Sequence, residues 1–211
     1  MITMGFRLNG RACTVVGGGK VSERRIRLLL DEGAQITVIS PHVTDAIAQW
    51  ALEGRLMLYK KPYSRELLGS PQFVVIATDN KAVNEAAAAD GRRKGAFINR
   101  ADVQSDCDFT FPASLVMGDL VISIMTGSAS PRLNRLLKQD MMARYKPVET
   151  VLPELVQLRR QVKELLPTPG EREVFWQKQL DTEAMELILS GQWKRVEEQI
   201  KDAISSIGLK S

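Results

Sequence analysis

Gly17, Gly18 and Gly19 stand between an apolar run and a basic, leucine-rich segment, in the stretch ACTVVGGGKVSERRIRLLL at 12–30. Glycines placed between a strand and a helix suit phosphate chemistry. One permits a tight turn, another lets the backbone approach a pyrophosphate, and the helix N-terminus offers N–H donors and partial positive charge. In Gly17-x-Gly19-x-x-Ser22 the third small position holds serine, still small enough for close helix–strand packing. No Gly-Lys-Ser/Thr follows, because Lys20 precedes Val21, and the phosphate loop of a nucleoside triphosphatase is thereby excluded. Gly17, Gly18, Gly19, Lys20 and Val21 are the candidate contacts of a dinucleotide cofactor. The second strand of such a site ordinarily ends in Asp or Glu for the adenosine ribose. Here it reads Ile39-Ser40-Pro41-His42, so Ser40, Pro41 and His42 are the candidates there and the choice between NAD and NADP is unmarked. His42 alone reads either as a capping or surface histidine or as a cofactor contact.

Other catalytic equipment is sparse. Tyr-x-x-x-Lys is absent: the residues four places after Tyr59, Tyr63 and Tyr145 are Tyr63, Leu67 and Glu149. The single histidine removes mechanisms and zinc sites built on histidine pairs. Cys13 and Cys107 are far apart and give neither a disulfide framework nor a metal knuckle; Cys13 falls in a strand pattern, where a thiol behaves as a small hydrophobe. Proton transfer is left to a carboxylate, the substrate or water.

The elements that must position these residues follow from periodicity. CTVVG, QITVIS, RLMLY, FVVIAT and AFIN, at 13–17, 35–40, 55–59, 73–78 and 96–99, read as short strands, with helices expected at about 20–32, 43–53 and 81–94. Strands alternating with helices predict an α/β fold with a Rossmann-type parallel sheet. One more strand is expected at 119–126, then a helix capped by Ser130 with Pro131 at its first position. Beyond Lys146-Pro147 only helical patterns occur, punctuated by Pro153, Pro167, Pro169 and Gly191, which predicts a C-terminal all-helical module.

The net charge of +4 is uneven: residues 1–146 carry 20 Lys+Arg against 14 Asp+Glu, and 147–211 carry 9 against 11. A basic front part fits an acidic small molecule. The few aromatics are not interleaved with the basic residues, which argues against nucleic acid. The N-terminal stretch has no apolar targeting pattern and no run reaches bilayer-spanning length, so no membrane partner and a cytoplasmic location are expected.

Four stretches, VVGGGKVSERRIRLLL at 15–30, VIATDNKAVN at 75–84, INRADVQSDCDFTFPA at 98–113 and ISIMTGSASPRLNRLLK at 122–138, together resemble the precorrin-2 dehydrogenase (siroheme synthase) family. The resemblance runs in order over residues 6 to about 145 and more loosely into the helical tail. It implies an NAD-dependent oxidation of precorrin-2, an acidic tetrapyrrole, to sirohydrochlorin, with Fe²⁺ a further substrate in some relatives. It also implies a homodimer, divided here into an NAD-binding domain at 1–113, a dimerisation segment at 114–146 and a helical domain at 147–211. The family's Asn-x-x-Asp matches Asn99 to Asp102, making Asp102 the catalytic candidate and, for a chelatase, the metal contact. Thr78 and Asp79 join the cofactor residues, and Asn99, Thr126, Ser128, Ser130 and Arg132 the substrate residues. The Ser-rich turn either binds a substrate carboxylate or caps its helix, and Arg132 and Arg135 are anion contacts or solvated helix charges. The chain departs from the family in Asp102-Val-Gln for Asp-x-Pro, Met117-Gly118 for Arg-Gly, and Thr126-Gly127-Ser128-Ala129-Ser130-Pro131 for Thr/Ser-Gly-Gly-x-Ser-Pro. The alternative from another class is a non-catalytic NAD-binding regulatory module of a transport system. Such modules usually keep the acid after strand two, and they leave Asn99 to Asp102 and the helical tail without a role.

Overall fold

A computed structural model describes residues 2–127 and 130–208. The chain forms two compact units, Met1–Phe111 and Pro112–Ser211.

In the first unit five strands, β1 (Ala12–Val16), β2 (Gln35–Ile39), β3 (Met57–Tyr59), β4 (Phe73–Ile76) and β5 (Phe97–Arg100), form one parallel sheet in the order β3-β2-β1-β4-β5. The central strands β1 and β4 are almost wholly buried, which is why they read as continuous apolar runs and not as alternations. Helices α1 (Lys20–Asp31), α2 (Asp45–Leu52) and α3 (Lys81–Arg93) supply the crossovers. Alternate residues of the strands feed two cores. Val15, Val38 and Val75 pack with Ile26, Leu29 and Ile47 of α1 and α2, and Val16, Val74 and Ile76 pack with Ala87 and Ala88 of α3. Helix α3 comes close because Gly91 has no side chain: a Cβ there would lie 2.6 Å from Ile98 Cδ1 and 3.1 Å from Val74 Cγ2. Strand order reverses between β1 and β4, which opens a crevice at their carboxyl ends.

The second unit opens with a hairpin of β6 (Ala113–Met117) and β7 (Leu120–Ile124), closed by Gly118 (φ +55°) and Asp119. Helix α4 (Pro131–Tyr145) follows, then α5 (Val148–Leu165), α6 (Pro169–Gln179), α7 (Thr182–Leu189) and α8 (Trp193–Gly208). The last four share a core of Val151, Leu158, Val162, Phe175, Ile188, Trp193, Val196 and Ile200. Helix α6 begins with a capping box between Thr168 and Glu171.

The parallel α/β sheet and the helical tail match the sequence reading, and two details differ. Strand β6 is absent from that reading, although LVMGDLVISI carries two apolar runs flanking a Gly-Asp turn, a hairpin signal. Pro153 does not interrupt a helix; it lies inside α5, near its start, where the missing N–H removes a single ladder bond.

Candidate functional site

The glycine turn leads from β1 into α1 at the carboxyl edge of the sheet. Gly17 adopts φ +116° and its N–H donates to Ile39 O at 3.0 Å; a Cβ would lie 2.2 Å from Ala77 O. At Gly18 a Cβ would lie 2.2 Å from His42 O, and the Gly18 carbonyl accepts from Thr44 N at 3.0 Å. These two glycines are required by the protein's own neighbouring loops. Gly19 is different: a Cβ there meets nothing within 4 Å. It is the N-cap of α1, so the free amides of the first helical turn lie beside an open backbone surface. Ser22 is fully buried, 3.2 Å from a Gly17 Cβ, as the packing argument required. Lys20 and Val21 are exposed, with Lys20 Nζ 3.0 Å from Glu23 Oε2.

At the end of β2, Ser40 is buried and its hydroxyl donates to His42 O at 2.6 Å, shaping the 40–44 turn that rests on Gly18. Pro41 and His42 are exposed, and the cap of α2 is Thr44. At the end of β4, the Thr78 hydroxyl and Asn84 Oδ1 lie 2.6 Å apart, and Asn84 Nδ2 donates to Thr78 O at 3.0 Å. Asp79 is exposed beside Asn80, whose side chain caps α3.

Beyond β5 the chain makes a charged knot. Arg100 is the last residue of β5, its side chain 6% exposed, and it binds two carboxylates. Its Nε and Nη2 donate to Asp102 Oδ1 and Oδ2 at 3.1 and 2.8 Å, and its Nη1 donates to Asp106 Oδ2 at 2.8 Å. Asp106 also accepts from Arg92 at 2.6 Å. The bidentate guanidinium, helped by the Asn84 amide, holds the Asp102 carboxyl down at about 2. Asp102 is therefore a fixed carboxylate at neutral pH and a weak base. Asn99 is buried, accepts from Arg25 and donates to Phe109 O at 2.7 Å, so it ties the following segment back to the sheet. The Cys107 thiol accepts from Arg100 N at 3.1 Å, and Asp108 Oδ2 accepts from Ile98 N at 2.9 Å, which closes the free edge of β5.

The structure thus brings Gly17–Gly19, Lys20, Ser40, Thr78, Asn99 and Asp102 to one edge of one sheet. Thr126, Ser130 and Arg132 belong to the second unit. Ser130 Oγ accepts from Leu133 N at 3.2 Å and caps α4; Thr126 Oγ1 is buried with no partner among the described residues; Arg132 is exposed. Ser128 lies outside the described residues. Among the described residues no group of three or more His, Cys, Asp or Glu is arranged to hold a metal ion, and Asp106 and Asp108 are engaged by Arg92 and by Ile98 N.

Residues 4–113 match the family model described as Putative NAD(P)-binding, and 154–204 match the Sirohaem synthase dimerisation region. The structure of SirC, precorrin-2 dehydrogenase, superposes with a TM-score of 0.76 at 30% identity, covering 96% of this chain and 100% of that one. The chain belongs to the precorrin-2 dehydrogenase / siroheme synthase family. Siroheme synthases of Methylococcus capsulatus and Nitrosococcus oceani are 33% and 29% identical over 206 and 207 residues, 94% of this chain in each case. The chain spans 42% and 43% of those relatives' own lengths. Arg100 and Asn84, which hold Asp102, and Arg25, which donates to Asn99, are neighbours of the candidate residues that the sequence alone does not single out. Arg100 carried a signal: an arginine at the end of a buried strand, two residues before the catalytic candidate, must find a counter-ion.

Proposed function

We propose that the chain oxidises precorrin-2 to sirohydrochlorin with NAD⁺ as hydride acceptor. The observation that carries this reading is the shared carboxyl edge of the sheet, which carries open Gly19 and the amides of α1 after β1, Thr78 after β4 and the fixed carboxylate of Asp102 after β5. The cradle fits a dinucleotide: Gly19 is the glycine of the turn where an added Cβ would meet no protein atom, the open side a pyrophosphate would approach, and Lys20 and Val21 follow it. Without an acid at Ser40, the ribose end rests on Pro41, His42 and backbone groups, and Asp79 lines the far side. NAD⁺ bound there would supply the hydride acceptor. As hydride leaves a carbon of the macrocycle, positive charge develops on the ring, and the Asp102 carboxylate, held ionised by Arg100, stabilises it. The proton released from the ring passes to water, since a group titrating near 2 is a poor acceptor at neutral pH. Asn99 holds the loop that carries Asp102; in the second unit, taken by itself, Thr126, Ser128, Ser130 and Arg132 are the residues proposed to meet acidic groups of a substrate.

The same reading takes Fe²⁺ as a second substrate, with Asp102 as protein contact and ring nitrogens as the remaining ligands; adding Fe²⁺ to sirohydrochlorin and protein tests it separately. It also takes a homodimer. Helix α4 has no buried residue, with Leu133 and Leu136 each 45% exposed, and the hairpin exposes Val116 and Val121. The dimerisation match at 154–204 supports a second copy, and the exposed apolar surface at 114–146, which that match does not include, is taken as a further part of the interface, beside the NAD-binding part at 1–113 and the helical part at 147–211. The regulatory-module alternative leaves Asp102 and its clamp without a role. Anaerobic mixing with precorrin-2 and NAD⁺, followed by NADH and sirohydrochlorin absorbance, tests the activity: both rise together if the reading holds, and neither rises with folded protein if it fails.

A further inference from the structure

The amino-terminal ends of β1, β4 and β5 carry a second concavity, a cavity of about 580 Å³ open to solvent. Its floor is aromatic. Phe73 and Phe97 stack with centroids 5.6 Å apart, and Phe6 meets Phe73 edge-on at 5.5 Å. Phe109 supports Phe73 from another side at 5.5 Å. Phe73 is buried, but Phe6 and Phe97 remain 46% and 49% exposed, an uncovered aromatic surface on the order of 100 Å² for each ring. Arg7, Arg11 and Lys94 line the same cavity, no acidic side chain does, and none of the three makes an ion pair among the described residues.

The cavity is not an arm of the crevice at the other edge. Phe73 opens β4 and Ile76 ends it, a separation of about 10 Å, and the glycine turn follows the far end of β1. The half-exposed Phe97 ring offers one aromatic surface on which a second ring can stack, and three uncompensated cations select several negative charges. A neutral aromatic would leave the cations unused, and a small inorganic anion would leave the phenylalanines uncovered.

We propose that the cavity lined by Phe6, Phe97, Arg7, Arg11 and Lys94 is a second binding site, for a planar aromatic polycarboxylate. Ring stacking on Phe97 supplies the apolar contact, and the two arginines and the lysine take the carboxylates. That the natural ligand is an acidic macrocycle of the kind handled in the crevice rests on the function proposed above; the chemical class of the ligand does not.

Titrating the full chain with uroporphyrin I, a planar octacarboxylate, tests the site through porphyrin fluorescence and stoichiometry. The wild-type protein is expected to bind two equivalents per chain. The surface variant R7E/R11E/K94E should bind one, with NAD affinity unchanged, and Phe97→Ser should weaken the lost equivalent at least tenfold. One equivalent in the wild type, abolished by the charge reversal, supports this site and removes the crevice as a macrocycle site. One equivalent retained by the charge-reversed variant overturns this proposal and leaves the crevice reading standing. Two equivalents retained by that variant, or tighter binding of a single-stranded oligonucleotide than of uroporphyrin, also overturn it.

Discussion

Replacing Arg100 by leucine isolates the clamp that fixes Asp102. Leucine roughly fills the buried volume but removes the bidentate partner of Asp102 and one of the two arginines on Asp106. The downward shift of the Asp102 carboxyl from 3.8 to about 2 corresponds to ~2.4 kcal/mol at ~1.36 kcal/mol per pH unit. Asp102 is 29% exposed, so solvent screening reduces this to about 1–1.5 kcal/mol. Asp106 keeps its Arg92 partner, and its lost contact with Arg100 adds about 0.5 kcal/mol. R100L should therefore be less stable by about 2 kcal/mol at neutral pH, roughly 4–8 °C in melting temperature for a chain of this size. The sign with pH follows from the depressed carboxyl. The stabilisation is fully present above the unfolded value near 4 and is lost as pH falls through about 2. The gap between wild type and variant should be widest near neutrality and about half as large near pH 3. Urea unfolding of both proteins across that range is the assay. Equal stabilities at neutral pH, or a gap that grows with acid, would refute the clamp.

Gly19→Ala should leave the melting temperature within about 1 °C and weaken NAD binding at least tenfold, read by calorimetry, because its Cβ meets only the ligand's space. Gly17→Ala should instead cost about 3 kcal/mol or more and lower soluble yield, since it combines φ +116° with a Cβ 2.2 Å from Ala77 O. Leu133→Glu with Leu136→Glu should convert a dimer to monomers in light scattering, while the unfolding transition of the first unit stays in place.

Most of the sheet was legible because buried parallel strands are continuous apolar runs and the crossover helices lie between them. The glycine turn was legible as a site, but not the division of labour within it. Which glycine serves the protein and which the ligand depends on Ala77 and His42, residues distant in sequence that the fold brings against the turn. Asp102 was legible only through the family motif, and its state was not: a loop aspartate and a clamped carboxylate share one letter, and the buried partner that separates them is set by β5 burial. Ser40 was expected at the cofactor end; in the structure its hydroxyl serves the 40–44 turn, a local bond that spacing does not reveal. Strand β6 was missed because Ser114 and the exposed Val116 break the buried-run pattern that marks the central strands.

Single-turnover oxidation of precorrin-2 by wild-type protein and Asp102→Ala, with NAD affinity measured on both, tests the central claim most directly. Asp102→Asn serves as the isosteric control for folding. The wild type should form one NADH per sirohydrochlorin, and the variants should bind NAD as tightly while oxidising at least ~100-fold more slowly, the scale of losing one electrostatic stabiliser. Wild-type rates in Asp102→Ala would contradict the account, as would an absence of NADH from a wild-type protein that is folded and binds NAD.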